Sequence, residues 1–518
     1  EPLMAETAKA LYERLAIERE VYIDRAEDCA KYTIPFLFPK KEANGTTKYP
    51  TPYQAVGARG VNNLTSKLVL ALFPPNTPFF RQDIRDDVLK YYESKPEDKQ
   101  EIEQALVQRE QTAQKYFESS QMRVSMEVCL KQLIIAGNAL LFFPPKEGGI
   151  KVYKLNSYVV QRDFVGHPIQ MITCDKLAIN TLPYEVLGQL DIDLSTKRGD
   201  ELVEVYTHIT YSSKDNRYYS YQEIEGKQID GYEQSFPADV CPWIPVRLFK
   251  MDGEHYSRSY VEEYIGDLKT LEGLSKAIAE MSAIAASVIY LVRPNGVTQP
   301  SKIMKTKNGG FVTGNKEDVT CLSLDKTQDM QIAKMTADAI ESRLSYAFML
   351  NSAVQRSGER VTAEEIRYVA NELEDTLGGI YSILSQELQL PLANTLLNIL
   401  SKKGEIADVP KDIVSLAVTT GMEAIGRGHD QQKLTVFIQG IAQIPDAASV
   451  VNWEGVARAW ANSCNLDTTG LIKSAEQIQQ EQQQAQMMAM AQAAIPNATK
   501  GAMDAMNQQT QGGSETNG

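Results

Sequence analysis

Apolar residues recur every three or four positions along two long stretches in the second half of the chain. Tyr260–Val288 carries them on one face and glutamate, aspartate or lysine on the other, which predicts an amphipathic helix of about 43 Å. The same spacing predicts a second long helix over Gln328–Leu350. Because a short insert separates the two, we expect them to form a projecting arm with the insert at its tip.

The insert itself has the short, β-branched runs that are typical of strands. It predicts strands at Ile289–Val292, Gly310–Thr313 and Val319–Leu324. Asn308-Gly309 is a typical turn between such strands. The tip is therefore predicted to be a compact unit that contains β-strands.

A third long helix is predicted after the polar segment 351–361. Thr362 and Glu365 have the spacing of a capping box, and helical apolar periodicity follows over Ile366–Leu388. The polar segment is therefore predicted to be a loop between two helices.

The same helix contains two features that disturb it. Gly378 and Gly379 lie together in its middle, where a pair of glycines favours a bend. Pro391 disfavours helical geometry in the residue before it. We expect the helix to stop before Pro391 and to resume as far as Leu400.

The first half of the chain predicts helices followed by a sheet, in a mainly helical α+β fold. Helical periodicity covers segments 5–31, 53–72, 97–119 and 123–136. From Ala139 to Arg247 apolar residues alternate in short runs between turns, which predicts an antiparallel sheet. We place residues 1–258 in one α+β domain and residues 411–473 in a short helical domain. The tail from 476 is rich in Gln, Met and Ala and is expected to end in disorder.

Composition restricts the function more than the fold. The chain has 518 residues and a net charge of −14, which argues against a protein whose main task is to grip nucleic acid. The charge is compatible with a protein that lets a duplex pass, since repulsion keeps DNA off an acidic wall. No apolar run reaches the roughly 20 residues of a membrane helix, and the first residues lack the basic-then-apolar pattern of a signal peptide. We expect Met4 to be the natural start.

Patterns that indicate catalysis or cofactor binding are missing from the sequence. The six cysteines form no CxxC pair and the histidines have no HxxxH or HExxH spacing, so we expect buried reduced thiols and no metal site. There is no GxxxxGK[ST] phosphate loop and no GxSxG elbow. The sequence therefore predicts no enzyme activity, no catalytic residues and no cofactor.

Two clusters of charge stand out, and the first lies in the insert. Its basic residues outnumber its acidic ones in an otherwise acidic chain: Arg293, Lys302, Lys305, Lys307, Lys316 and Lys326 against Glu317, Asp318 and Asp325. One interpretation is an ordinary solvated surface. The other is a docking face for an acidic partner or for DNA.

The second cluster lies in segment 351–361 and just beyond it. Arg356, Glu359 and Arg360 belong to the segment, and Arg367 lies about one turn inside the third helix. Ion pairing with neighbouring glutamates is one interpretation. Contact between the arginines and DNA phosphates is the other.

Several segments together resemble one known family. They are NSAVQRSGERVTAEEIRYVANELEDTLGGIYSILSQELQLPL (351–392), YTIPFLFPK (32–40), TPYQAVGARGVNNLTSKLVLALFP (51–74), YVVQRD (158–163), RSYVEEYIGDLKTLEGLSKAI (258–278) and TGMEAIGRGHD (420–430). These segments are similar to portal, or head-to-tail connector, proteins of short-tailed bacteriophages that encode a single-subunit RNA polymerase.

The resemblance implies a portal fold, assembled as a ring of typically twelve subunits at one vertex of the phage head. By order along the chain it implies a wing at 1–258, stem helices at 259–288 and 328–350, a clip at 289–327, a tunnel loop at 351–361, a kinked wing helix at 362–409, a crown at 410–473, and a helical or barrel-like segment with a disordered end at 474–518. It makes Arg356, Glu359, Arg360 and Arg367 candidates to face DNA in the channel. It also makes the clip cations candidates to dock the terminase and later the tail.

The expected function is thus a structural conduit for packaging and ejecting double-stranded DNA. The implied partners are further copies of the chain, terminase, tail adaptor and nozzle proteins, major capsid and scaffolding proteins and internal core proteins, with no membrane. The expected location is the virion, after assembly in the host cytoplasm. Two alternatives stay open: another head–tail joining component such as a tail adaptor, and an ATPase or nuclease whose site no motif reveals.

Overall fold

The computed structural model of the protein divides into two units, residues 1–425 and residues 426–518. It describes residues 6–39, 46–75, 77–85, 87–88, 96–144, 148–190, 199–286, 289–322, 327–350, 363–407, 409–410, 413–418, 435–441, 456–457 and 460. In the second unit, residues 435–441 are helical and line a groove together with Val456, Ala457 and Trp460.

Helices dominate the beginning of the first unit. They are α1 (Ala8–Lys31), α2 (Val56–Leu72), α3 (Pro96–Ser119) and α4 (Met122–Ala136), with strand β1 (Phe80–Ile84) between α2 and α3. The four predicted helices are confirmed, although α1 begins later than expected. Its start is set by Thr7, whose Oγ1 accepts from Ala10 N at 3.2 Å, and by Glu223, whose carboxylate accepts from Ala8 N at 2.6 Å.

Two antiparallel sheets follow, which confirms the predicted sheet. In the smaller one β2 (Asn138–Phe142) lies between β3 (Lys151–Tyr153) and β10 (Trp243–Arg247). The larger one has the order β4 (Tyr158–Arg162), β5 (Pro168–Ala178), β6 (Leu202–Ser212), β7 (Arg217–Ile224) and β8 (Lys227–Gln228), with β9 (Gln234–Pro237) also paired with β7. A short helix, α5 (Tyr184–Leu187), lies between β5 and β6.

The main apolar core joins these elements to segments that follow in the chain. Phe73, Phe79 and Phe117 lie at its centre, with ring centroids 5.1 to 5.5 Å apart. The same core contains Leu268 from the base of the arm and Leu396 from beyond the third helix's glycine pair. The main core of residues 1–258 is therefore completed by residues outside that range.

The arm is present, but its first helix is interrupted. α6 (Tyr260–Glu263) ends at Tyr264, which leaves helical geometry at φ −110° and ψ 7°. α7 (Ile265–Ala286) then runs outward. The ring of Tyr264 packs beside Tyr260 and Phe348, at centroid distances of 5.3 and 5.9 Å. The predicted single helix from Tyr260 to Val288 is thus broken where core packing fixes an aromatic side chain.

The tip has two strands where three are predicted. β11 (Ile289–Val292) pairs with β12 (Val319–Leu322) in antiparallel register, and Asn308-Gly309 forms the predicted turn. The strand predicted at Gly310–Thr313 is wrong, because those residues have no regular structure. β11 and β12 form a two-stranded sheet, and no other described strand pairs with residues 310–313.

The rest of the tip and the arm is helical. α8 (Pro300–Lys305) is a short helix that the sequence reading missed, and Pro300 occupies its first turn, where proline is favoured. α9 (Thr327–Ala347) returns along α7. None of the described helices, including these, is long and apolar enough to cross a membrane.

The third long helix consists of several parts. α10 (Ala363–Leu377) ends at Gly378, whose φ of 48° and ψ of −115° suit glycine alone. α11 (Gly379–Leu384) follows and leads into a π-helical segment, Ser385–Gln389.

The predicted stop before Pro391 is wrong. The π-helical segment continues directly into α12 (Leu390–Lys403), with Pro391 in its first turn. In a regular α-helix a proline ring clashes with the carbonyl four residues earlier, which here is that of Glu387. The wider π turn lies at that carbonyl and accommodates the ring.

The segment predicted as helical, 411–473, has a strand near its start instead. β13 (Val414–Val418) pairs with β1 in antiparallel register. Val414, Leu416 and Val418 are half-buried and alternate with exposed neighbours, which is the period of a strand with one covered face. The start of the predicted helical domain therefore needs this correction.

Gly378 and Gly379 give opposite predictions for the same substitution. Gly378→Ala places an alanine at φ 48° and ψ −115°, and we expect it to cost about 2 kcal/mol of unfolding free energy. Gly379→Ala adds a Cβ with no other atom within 4 Å at a helix start, so we expect a gain of about 0.5 kcal/mol. Urea denaturation measures both, and a loss of the same size in both variants contradicts this backbone account.

Candidate functional site: the arm, its tip and its foot

The arm is buried at its base and exposed along its outer half. Leu268 of α7 and Leu344 of α9 are fully buried. Further out, Ile284 of α7 and Ile332 and Met335 of α9 are 54%, 64% and 72% exposed. A single arm therefore leaves apolar side chains uncovered on helices that already pack against each other.

The inner end of α9 is fastened to α2. The Asn63 side chain donates to the carbonyl oxygens of Phe348 and Met349 at 3.0 and 2.9 Å, and Lys67 Nζ donates to Met349 O at 3.2 Å. The Phe348 ring lies against Gly60, where an added Cβ would be 2.5 Å from the ring. Only glycine allows so close an approach.

Lys67 also reaches the third helix. Its Nζ lies 2.9 Å from Glu372 Oε2 in α10, and its side chain is only 6% exposed. Met349 precedes segment 351–361, and Glu372 belongs to the helix that follows it, so Lys67 connects the chain before the predicted loop with the helix after it. Sequence reasoning missed this residue, because its partners are 282 and 305 positions away.

The structure does not place the predicted channel residues. Arg356, Glu359 and Arg360 lie outside the described residues. Arg367 belongs to α10, but its side chain is not described. The described structure therefore defines both ends of the predicted loop and leaves its arginines as predictions.

The predicted docking residues of the tip are all exposed: Arg293, Lys302, Lys305, Lys307 and Lys316. Lys302 and Lys305 lie on α8. Lys326 lies outside the described residues. The tip therefore presents a positively charged surface on an acidic chain.

Asp318, by contrast, has an internal role in the tip. Its carboxylate accepts from Thr298 Oγ1 at 2.9 Å and from Thr298 N at 3.1 Å. The hydroxyl of Thr298 in particular lowers the pKa of Asp318. A Cβ at Gly296 would lie 2.6 Å from Asp318 Cγ. Asp318 thus holds the loop after β11 against β12.

Large apolar side chains accompany the cations of the tip. The exposed ones are Tyr290, Leu291, Val297, Ile303, Met304 and Phe311. Met304 is 87% exposed and Phe311 is completely exposed. A group of exposed apolar side chains is typical of a surface that binds another protein, which favours the docking interpretation over a solvated loop.

The described residues offer no group of three or more His, Cys, Asp or Glu side chains that could hold a metal ion. Cys29, Cys129 and Cys241 are buried, and burial raises the pKa of their thiols to about 11, 12 and 12. Such thiols stay protonated and unreactive. Cys321 is exposed, contrary to the prediction of buried thiols.

The sequence similarity to known proteins extends over nearly the whole chain. The portal protein of Escherichia phage T7 is 47% identical over 495 residues, covering 94% of this chain and 91% of that protein. That of Enterobacteria phage T3 is 48% identical over 501 residues, covering 95% and 92%. That of Pseudomonas phage phiKMV is 32% identical over 517 residues, covering 97% and 99%. These names favour the portal prediction over the tail-adaptor alternative.

A family model and a solved structure complete the comparison. The neck of an empty gene transfer agent particle aligns with 74% of this chain and 86% of that chain at 12% identity, but its TM-score of 0.37 is too low to add to the assignment. The model described as "Bacteriophage head to tail connecting protein" matches residues 5–472. The chain therefore belongs to the bacteriophage head-to-tail connecting, or portal, protein family, as its sequence segments predict.

Proposed function

We propose that this chain is the repeating subunit of a twelve-membered ring at one capsid vertex, through which double-stranded DNA is packaged and later ejected. The observation that carries the ring is the exposed apolar face of the arm at Ile284, Ile332 and Met335. The arm of the next copy would cover that face, and burial contributes about 25 cal/mol per Å² of apolar surface. A contact between unlike faces closes a ring when a whole number of the rotations that relate neighbouring copies completes a full turn.

The channel would be a passive conduit rather than an enzyme. With a net charge of −14 per chain, its walls would repel the duplex, while Arg356 and Arg360 would make weak, exchangeable phosphate contacts. The negative charge of Glu359 would repel phosphates and so limit these contacts. Arg367, in the first turns of α10, would add one further phosphate contact. ATP would be hydrolysed by a separate terminase.

The foot of the arm, where Phe348 and Met349 contact α2, is consistent with a narrow point in this conduit at segment 351–361. Lys67 lies between the carbonyl of Met349 and the carboxylate of Glu372, so one buried ammonium group holds the residue before the loop's first position and the helix that follows the loop. A loop that resists backward movement of DNA needs fixed ends, because force on a loosely held loop only displaces it. Lys67 would supply that fixation.

The tip would dock the terminase during packaging and the tail adaptor or nozzle afterwards. Its cations would attract an acidic partner, and Met304 and Phe311 would supply apolar contact area at the centre of the interface. The same surface would serve both partners in turn.

The rest of the chain would follow the order of the family. The wing would consist of residues 1–258 and 362–409, and the stem of 259–288 and 328–350. The clip would be 289–327, the crown 410–473 and the C-terminal segment 474–518. β13, which lies in 410–473, would join the crown to the wing through its pairing with β1. Capsid, scaffolding and internal core proteins would meet the ring at the vertex, after assembly in the host cytoplasm.

Replacing Lys67 tests the fixation of the loop ends. Lys67→Met removes the cation between Met349 and Glu372, and we expect a loss of about 2 kcal/mol of stability because Glu372 is left half-buried without its partner. Hydrogen exchange of backbone amides in 344–349 and 368–373 should accelerate. Lys131→Met, which removes only the surface pair with Glu127, is the control and should change neither. Equal exchange rates in both variants would contradict the role of Lys67.

Replacing the loop arginines tests their contact with DNA. In the double variant Arg356→Ala/Arg360→Ala, we expect packaged DNA to be retained several-fold less well in a packaging assay with purified terminase. Arg14→Ala removes an exposed arginine from α1 and should leave retention unchanged. Unchanged packaging and retention in the double variant would favour ion pairing with neighbouring glutamates instead.

Reversing the charge of α8 tests the docking surface. We expect Lys302→Glu/Lys305→Glu to weaken terminase binding by about tenfold or more, chiefly by slowing association. Lys48→Glu/Lys214→Glu makes the same change of charge at exposed positions outside the tip. Biolayer interferometry with the assembled protein measures the rates. Equal loss of binding in both double variants would mean that net charge, not the tip, is recognised.

A further inference from the structure

A cavity of about 340 Å³ lies away from the arm, where the β4–β5 turn, β10 and the π-helical segment meet. The cavity is partly open to solvent, and about half of its wall is apolar. Two of its charged residues, Arg162 and Arg247, are buried, which is unusual for arginine. The exposed residues Lys250, Asp239 and His167 and the half-buried Glu387 also line it. None of the proposed channel or docking contacts uses this cavity.

The turn at Gly166 brings three cations together. Gly166 has φ +98°, and a Cβ there would lie 3.0 Å from Arg247 Nη2 and 3.3 Å from Lys250 Cε. Arg162 Nη1 donates to Gly166 O at 2.9 Å. The turn is itself held by Asp163, whose Oδ1 accepts from three backbone amides at 2.8 to 3.0 Å. Because Gly166 has no side chain, Arg247 and Lys250 can approach its backbone, to which Arg162 is already hydrogen-bonded.

The two arginines are buried, and of the two Arg247 alone is hydrogen-bonded to a carboxylate. Arg247 is 2% exposed and its Nη2 lies 2.7 Å from Glu387 Oε1. Arg162 is 6% exposed, and its guanidinium donates only to the carbonyl oxygens of His255, Gly166 and Pro245. Burial, together with repulsion from Arg247, lowers the pKa of Arg162 to about 10. A buried cation without a carboxylate partner is costly, and an anion would offset the cost.

Donors remain available for such an anion. A guanidinium has five N–H groups, and the hydrogen bonds of Arg162 and of Arg247 each use three of them. The ammonium group of Lys250, an exposed residue at the cavity, adds more. These donors come from β4, from β10 and from the segment after β10, so they converge from several directions. A tetrahedral oxyanion can accept from all of them, whereas a carboxylate presents two oxygens in one plane.

We propose that this cavity binds a phosphate group, either free or carried on a nucleotide. Glu387, the carboxylate that Arg247 already bonds, belongs to the π-helical segment, and π-helical turns often occur at functional sites. A bound phosphate therefore lies beside the segment that carries the third helix past Pro391.

The test uses the full-length protein and two lysine variants. ³¹P NMR and thermal unfolding follow titration with inorganic phosphate at constant ionic strength, with chloride as the balancing anion. We expect saturable phosphate binding and a saturable rise in Tm. Lys250→Ala should weaken binding at least fivefold. Lys214→Ala, an exposed lysine in the β6–β7 turn that does not line the cavity, should bind like the parent.

Parallel titrations identify the source of the phosphate. Tighter binding of adenosine monophosphate than of phosphate assigns the site to nucleotides, and equal or weaker binding assigns it to free phosphate. The proposal is overturned if phosphate gives no saturable signal beyond chloride, if acetate binds as tightly as phosphate, or if both lysine variants lose binding equally.

Discussion

Phe348 packs onto the bare backbone of Gly60, with ring atoms 2.5 to 2.9 Å from where a Cβ would be. This contact presses the inner end of α9 onto α2, and the polar contacts of the foot depend on it. Asn63 and Lys67, on the same helix, can then bond the carbonyl oxygens that end α9. α2 is thus the support on which the arm rests.

The same support also holds the third helix, at Glu372. Lys67 is buried, so its charge needs partners, and it finds the carbonyl of Met349 on one side and Glu372 on the other. Below this point the third helix is held by buried side chains such as Leu384, Leu388 and Leu396. The third helix is therefore held both through Lys67 and through its own side chains in the core.

Local periodicity was sufficient for much of the fold. The arm, the four first helices, the antiparallel sheet and the glycine pair all follow from the spacing of residues that are close in sequence. Family membership followed from segments spread along the chain, and the relatives confirm it. The sequence alone could not decide whether the basic insert is an ordinary solvated surface or a docking face, because both have the same composition. The structure adds that large apolar side chains are exposed beside the lysines.

The failures share a cause in long-range contacts. β13 was not foreseen because its partner β1 lies more than 300 positions away, and a short alternating run alone has no defined partner. Lys67 looked like an ordinary polar position on an amphipathic helix, since Glu372 is 305 positions distant. Pro391 was interpreted as a stop because the π turn that accommodates it has no simple sequence pattern.

Electrostatics separates the two proposed tasks of the protein. An acidic body suits a wall that DNA must pass without adhering, while the exposed lysines and apolar side chains of the tip suit a partner that must bind. A conduit requires that several copies surround one axis, and so the ring is the central claim. Electron microscopy of the purified full-length protein tests it most directly. The account predicts closed rings with a central channel and with the arms of neighbouring copies in contact. Monomers, or open filaments without a channel, would contradict it.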